Sequence, residues 1–171
     1  MNEQQALLRR VRVWMVLFII GLVGSGLTAF PLETEVSALA WGFGVKDGPE
    51  GVEQGGVQGW IARVRDGIYE TNKKYPFMAY GTDWLAFAHL VIAVAFIGPL
   101  IDPVRNKWVI TFGMIACAGV VPLAMIAGHF RGIPLYWRIL DCSFGLFGII
   151  PLLVCRWHIH KIERLEKSSP K

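Results

Sequence analysis

The sequence predicts an all-α integral membrane protein, a four-transmembrane-helix bundle with an outer amphipathic helix between helices 1 and 2. Three observations predict it. Apolar residues make up 54% of the 171-residue chain and charged ones only 18%, against about 45–50% and about 25% in soluble domains. Four apolar runs each approach the ~20 residues that cross ~30 Å of hydrocarbon. Lys and Arg cluster at alternate ends of those runs, the asymmetry that fixes orientation during insertion.

Helix 1, about residues 11–30, follows Arg9, Arg10 and Arg12 and closes at Pro31. Its apolar run exceeds a secretory signal core and no small-x-small cleavage site follows, so it reads as a retained helix. In the segment 31–83, Val57, Trp60, Ile61, Val64 and Ile68 recur at helical spacing while Gln58, Arg65, Asp66 and Glu70 take other faces. An amphipathic helix results, lying on the outer leaflet or packed over the bundle mouth. The Gly-rich stretch 48–59 reads as a flexible lead-in, and Tyr75, Phe77, Tyr80 and Trp84 as an aromatic band at the headgroups. Helix 2, about 84–102, ends at Asp102-Pro103; helix 3 covers about 107–128 and helix 4 about 138–156. Pro122 and Pro151 lie inside helices 3 and 4, where each frees a backbone carbonyl and permits a kink. Gly21, Ser25 and Thr28, with Gly113, Gly119, Gly145 and Gly148, are small enough for helices to approach closely. No internal repeat breaks the chain, which reads as one membrane domain, 1–171.

Ten basic residues (Arg9, Arg10, Arg12, Arg105, Lys107, Arg156, Lys161, Arg164, Lys167 and Lys171) occupy the two tails and the loop between helices 2 and 3. The segment 31–83 holds five basic and eight acidic residues, and the turn 128–138 two basic ones. The first side is therefore expected in the cytoplasm, with both termini, and the second outside an inner membrane. The net charge of +4 comes from residues flanking helices rather than from a basic face, which excludes nucleic acid as a partner. Cys117, Cys142 and Cys155 lack C-x-x-C spacing and read as packing residues.

Ionisable residues within apolar runs are costly and mark candidate sites. His89 lies about 15 residues, or roughly 22 Å, above the loop between helices 2 and 3, and Asp141 has the same offset from Arg156. That level on helix 1 falls at Thr28, with Ser25 just below. His89, Asp141, Ser25 and Thr28 are thus candidates for one polar layer. His129 stands roughly 13 Å higher than His89, at an outer rim with Arg131, Arg138 and Asp83, and with Glu33 and Glu35 nearby. His89 and His129 also present the bis-imidazole pattern of a haem b held between helices, although their stagger opposes it. His158 and His160, among charges in the C-terminal tail, read as surface residues.

These residues suit a redox membrane subunit, haem b- or quinol-linked, with its polar site near the extracytoplasmic surface. A non-catalytic accessory subunit docked on other membrane subunits by glycine-rich faces is the alternative. A lipid-headgroup or acyl transferase using Ser25, Thr28 or Ser143 lacks any supporting motif. The inner halves of the helices are almost wholly apolar, which argues against a channel or pump. The expected partners are the lipid bilayer and other membrane subunits, and the candidate cofactors are haem b and quinone.

Overall fold

The computed structural model describes residues 3–168, which are helical with short turns and contain no strand. Four helices are long and apolar enough to cross a membrane: Glu3–Ala29, Pro76–Ile101, Lys107–Phe130 and Leu135–Ser168. The chain is a multi-pass membrane protein. In order, the elements are α1 (Glu3–Ala29), α2 (Leu32–Gly42), α3 (Pro49–Glu53), α4 (Gly56–Lys74), a 3-10 turn (Pro76–Ala79), α5 (Tyr80–Ala95), α6 (Ile97–Ile101), α7 (Lys107–Phe130) and α8 (Leu135–Ser168). Two compact units emerge, one comprising the chain up to Leu22 with everything from Ile92 onward, the other Val23–Val91.

The first unit is built on the α7–α8 hairpin. Gly132 (φ +69°) takes the left-handed conformation that ends α7, with its N–H on His129 O and Ile133 N–H on Gly128 O at 2.9 Å. Pro134 then opens α8, its carbonyl accepting from Trp137 and Arg138. Glycines let the two helices close: a Cβ at Gly145 would fall against the Cys117 carbonyl and 3.0 Å from Val120 Cβ. At Gly113 the missing side chain makes room for Phe96 and Leu152. Gly119, by contrast, faces open space.

The core of this unit joins Val11, Met15 and Phe18 of α1 to Phe96, Ile110, Leu152, Cys155 and Ile159. Phe18 and Phe96 meet ring to ring at 4.7 Å. Pro99, with no N–H, leaves the Ala95 carbonyl without its usual donor, and the second span breaks between α5 and α6 there. Asn106 closes the turn into α7, its amide donating to Gly98 O and Asp102 O, while Asp102 Oδ1 accepts from the Arg105 N–H at 3.0 Å.

Three boundaries differ clearly from expectation. α1 begins at Glu3 rather than near residue 11, the second span opens at Pro76 rather than near 84, and α8 runs to Ser168 rather than ending at 156. The extension of α8 has a physical cause in Cys155, Ile159 and Ile162, a buried stripe at steps of four and three that continues past Arg156. His158 shares that side and is 4% exposed, which corrects its reading as a surface residue; His160 is exposed. The Nδ1 of His158 faces Val154 O at 2.7 Å, and its buried Nε2 has no partner. Lys107 of α7 pairs with Glu163 of α8 at 2.6 Å.

In the second unit α4 packs on α2 and α3. Ile61 and Ala62 of α4 are buried and Trp60 is half-buried, while Val57 is exposed; Ala40 of α2 is buried in the same unit. The stretch 48–59 is structured rather than a flexible lead-in. It holds α3, and close backbone approaches at Gly51 and Gly59 leave no room for a Cβ. Polar side chains tether the preceding loop to α3 and α4. Gln54 binds Lys46 N and Gly44 O, Gln58 binds Phe43 O, and Arg65 binds Lys46 O and Asp47.

Candidate functional site

A cleft of about 670 Å³ lies wholly within the second unit. Three chain segments wall it: 30–34 at the entry to α2, the α4 face from Arg63 to Asn72, and 78–83 at the entry to α5. Each segment is placed by local chemistry. Pro31 interrupts the helical run, and its carbonyl accepts the first bond of α2 from Glu35 N at 2.9 Å. Glu33 and Glu35 thereby occupy the first turn of α2 and Asp83 that of α5, positions where the helix dipole favours a carboxylate. Asn72, near the end of α4, donates its amide to Glu33 Oε2 at 3.0 Å, tying two walls together. Arg63 is the one basic residue in the lining, among Thr34, Thr71 and Thr82.

A second groove, about 330 Å³, is lined by Phe30, Tyr80, Asp83, Trp84 and Phe87. Its aromatic rings form a ladder along α5, with Tyr80–Trp84 and Trp84–Phe87 centroids each 6.0 Å apart at near-perpendicular angles. Phe30 and Asp83 belong to both the polar cleft and the aromatic groove. The two form an amphipathic pair of surfaces meeting at a carboxylate. This can take a ligand with a polar head and an apolar body, and offers it two acids, an amide, hydroxyls and a guanidinium.

Asp83 and Glu33, both read from the sequence near the outer rim, line the same cleft. The remaining candidates of this unit lie outside the cleft. His89, half-buried on α5, directs Nδ1 to Leu85 O at 2.9 Å, so its Nε2 is the atom available to a ligand. Ser25 and Thr28 are exposed, with Thr28 Oγ1 donating to Ser25 O at 3.3 Å. The close approach of α1 to α5 is made one residue from Ser25, at Gly26, where a Cβ would sit 3.0 Å from Ala86 O and 3.1 Å from His89 Cβ.

Asp141, His129, Arg131 and Arg138 belong to the other unit. Asp141 is half-buried on α8. His129 and Arg131 are exposed at the end of α7, with the His129 ring edge-on to Phe130 at 5.7 Å. Arg138 lays its alkyl stem across Gly128 and donates Nη1 to Met125 O at 3.2 Å, while its buried Nε has no partner. Among the described residues no group of three or more His, Cys, Asp or Glu is placed to hold a metal ion.

Comparison with known proteins found no matching family model, curated protein or solved structure. The class that fold and site define is a multi-pass helical membrane protein with an amphipathic cleft built from the segment joining its first two spans.

Proposed function

We propose that the chain is a quinol-linked membrane subunit of a redox complex, inserted in an inner membrane with both termini in the cytoplasm. The cleft of the second unit then opens on the extracytoplasmic side. The observation that carries this reading is the sharing of Phe30 and Asp83 by the polar cleft and the aromatic groove. A quinol is a flat ring with two hydroxyls on an apolar tail, so its site needs aromatic walls, a hydrogen-bonding end and a route from the hydrocarbon. The ladder of Tyr80, Trp84 and Phe87 supplies the route, and Asp83 at its end is the acceptor for a ring hydroxyl proton. Glu33, fixed by Asn72, and Arg63 hold the far side of the head. The electron acceptor is assigned to a partner subunit. The distribution of Lys and Arg supports the orientation, ten on the side of the termini against seven on the other.

The test is calorimetric binding of a short-chain quinol, kept reduced, to the protein in lipid nanodiscs. Asp83→Asn and Glu33→Gln are expected to weaken binding on the order of tenfold each, the cost of a lost charge-assisted hydrogen bond. Unchanged affinity in both variants would overturn the assignment. A Soret band that shifts on reduction, lost in His89→Ala and His129→Ala, would instead establish the haem b reading. The accessory-subunit reading has its own support in Gly21, Gly24 and Gly119, around which nothing lies within 4 Å. Small residues left open on spanning helices suit docking against other subunits.

A further inference from the structure

The first turns of α1 carry a feature that the proposed quinol site does not use. Ala6, Arg9, Arg10, Val13 and Trp14, at steps of three and four, line a groove of about 310 Å³ on one side of the helix. Both arginines are exposed, and neither is ion-paired with a carboxylate among the described residues. No acid lines the groove. Trp14 is half-buried against the core, which fixes one wall. Below it the same side of α1 continues as a bare apolar strip, with Val13 53%, Leu17 53% and Ile20 61% exposed. From Arg10 to Ile20 the rise is about 15 Å, comparable to the length of an acyl chain within one leaflet.

We infer that this groove binds one anionic phospholipid, its phosphodiester between the guanidiniums of Arg9 and Arg10 and an acyl chain along Val13, Leu17 and Ile20. Two guanidiniums without an ion-pair partner, in a groove lined by no acid, favour a net-negative headgroup over a zwitterionic one, whose own cation would meet them. The indole beside them sits at the level where tryptophan is favoured, between headgroup and hydrocarbon. The groove belongs to the first unit and the cleft to the second, with no lining residue in common, so the outcome here is independent of the quinol reading.

The test is native mass spectrometry of the full chain released from nanodiscs of phosphatidylcholine with a minor fraction of phosphatidylglycerol. The wild-type protein is expected to retain one phosphatidylglycerol in preference to phosphatidylcholine. Arg9→Gln/Arg10→Gln is expected to lower that preference roughly thirtyfold, about 1 kcal/mol per basic residue at a membrane surface. Lys73→Gln/Lys74→Gln, which removes the same charge in the other unit, is expected to leave it unchanged. Leu17→Gln, which keeps both arginines, is expected to shorten the lipid's retention several-fold. Equal retention of the two lipids by the wild-type chain, or equal loss in the two double variants, would overturn the inference. So would displacement of the bound phosphatidylglycerol by millimolar inorganic phosphate, which would mark a free-anion site.

Discussion

Replacing Gly145 by Ala adds a single methyl group where α8 closely approaches the α7 backbone. That methyl would fall well inside 3.0 Å of the Cys117 carbonyl oxygen and 3.0 Å from Val120 Cβ. A backbone oxygen cannot rotate aside as a side chain can, so the helices must separate along the crossing. Overpacking of this kind costs about 1–3 kcal/mol. In a bilayer little hydrophobic driving force restores the lost contacts, because lipid is as apolar as the helix surface. Alanine recovers about 0.5–1 kcal/mol through its lower backbone entropy cost. Gly145→Ala is therefore expected to lose about 1–2 kcal/mol. Gly119→Ala, on the same hairpin with nothing within 4 Å, is expected to be neutral or slightly stabilising. The assay is reversible unfolding in mixed detergent and SDS micelles, followed by circular dichroism. Equal midpoints for the two variants would refute the packing argument.

His158→Leu removes a buried imidazole whose Nε2 has no partner, so it is expected to hold stability within about 1 kcal/mol of wild type or raise it. His158→Ala, which leaves a cavity, is expected to lose about 2 kcal/mol or more in the same unfolding assay. A loss of that size from His158→Leu would mean that Nε2 is bonded. Arg65→Met cuts the tether to Lys46 O and Asp47, and hydrogen exchange of the 44–47 amides is expected to quicken about fivefold, the worth of one net hydrogen bond. Unaltered exchange would assign that loop's order to Gln54 and Gln58 alone. For orientation, Gln54→Cys is expected to react with an impermeant thiol reagent in intact cells lacking the native cysteines, and Ser168→Cys to stay protected. The reverse pattern would invert the topology.

The four spans were legible because length and apolarity of a run dominate its partition into hydrocarbon, whatever the helices then touch. The ends were less so. The buried stripe Cys155, Ile159 and Ile162 is written in the sequence, but the charges interleaved with it pointed to a solvated tail. α2 carries Leu32, Val36 and Ala40 at helical spacing, a signal too short to stand out beside Glu33, Glu35 and the flanking Pro31, Gly42 and Gly44. Gly21, Ser25 and Thr28 looked like a contact stripe, yet the close approach uses Gly26, because composition does not reveal which side of a helix faces its neighbour. The cleft was legible only in part. Asp83 was read at the outer rim with Glu33 nearby, whereas Arg63 and Asn72 join them through the packing of α4, a tertiary event no local pattern encodes.

Quinol binding in the cleft is tested most directly by photolabelling of the protein in nanodiscs with an azido-quinol, followed by mapping of the modified peptides. Label is expected to be confined to residues 30–34, 63–72 and 78–87, suppressed by excess unlabelled quinol and reduced in Asp83→Asn. Label spread along α7 and α8, or label that excess quinol does not suppress, would contradict quinol binding there.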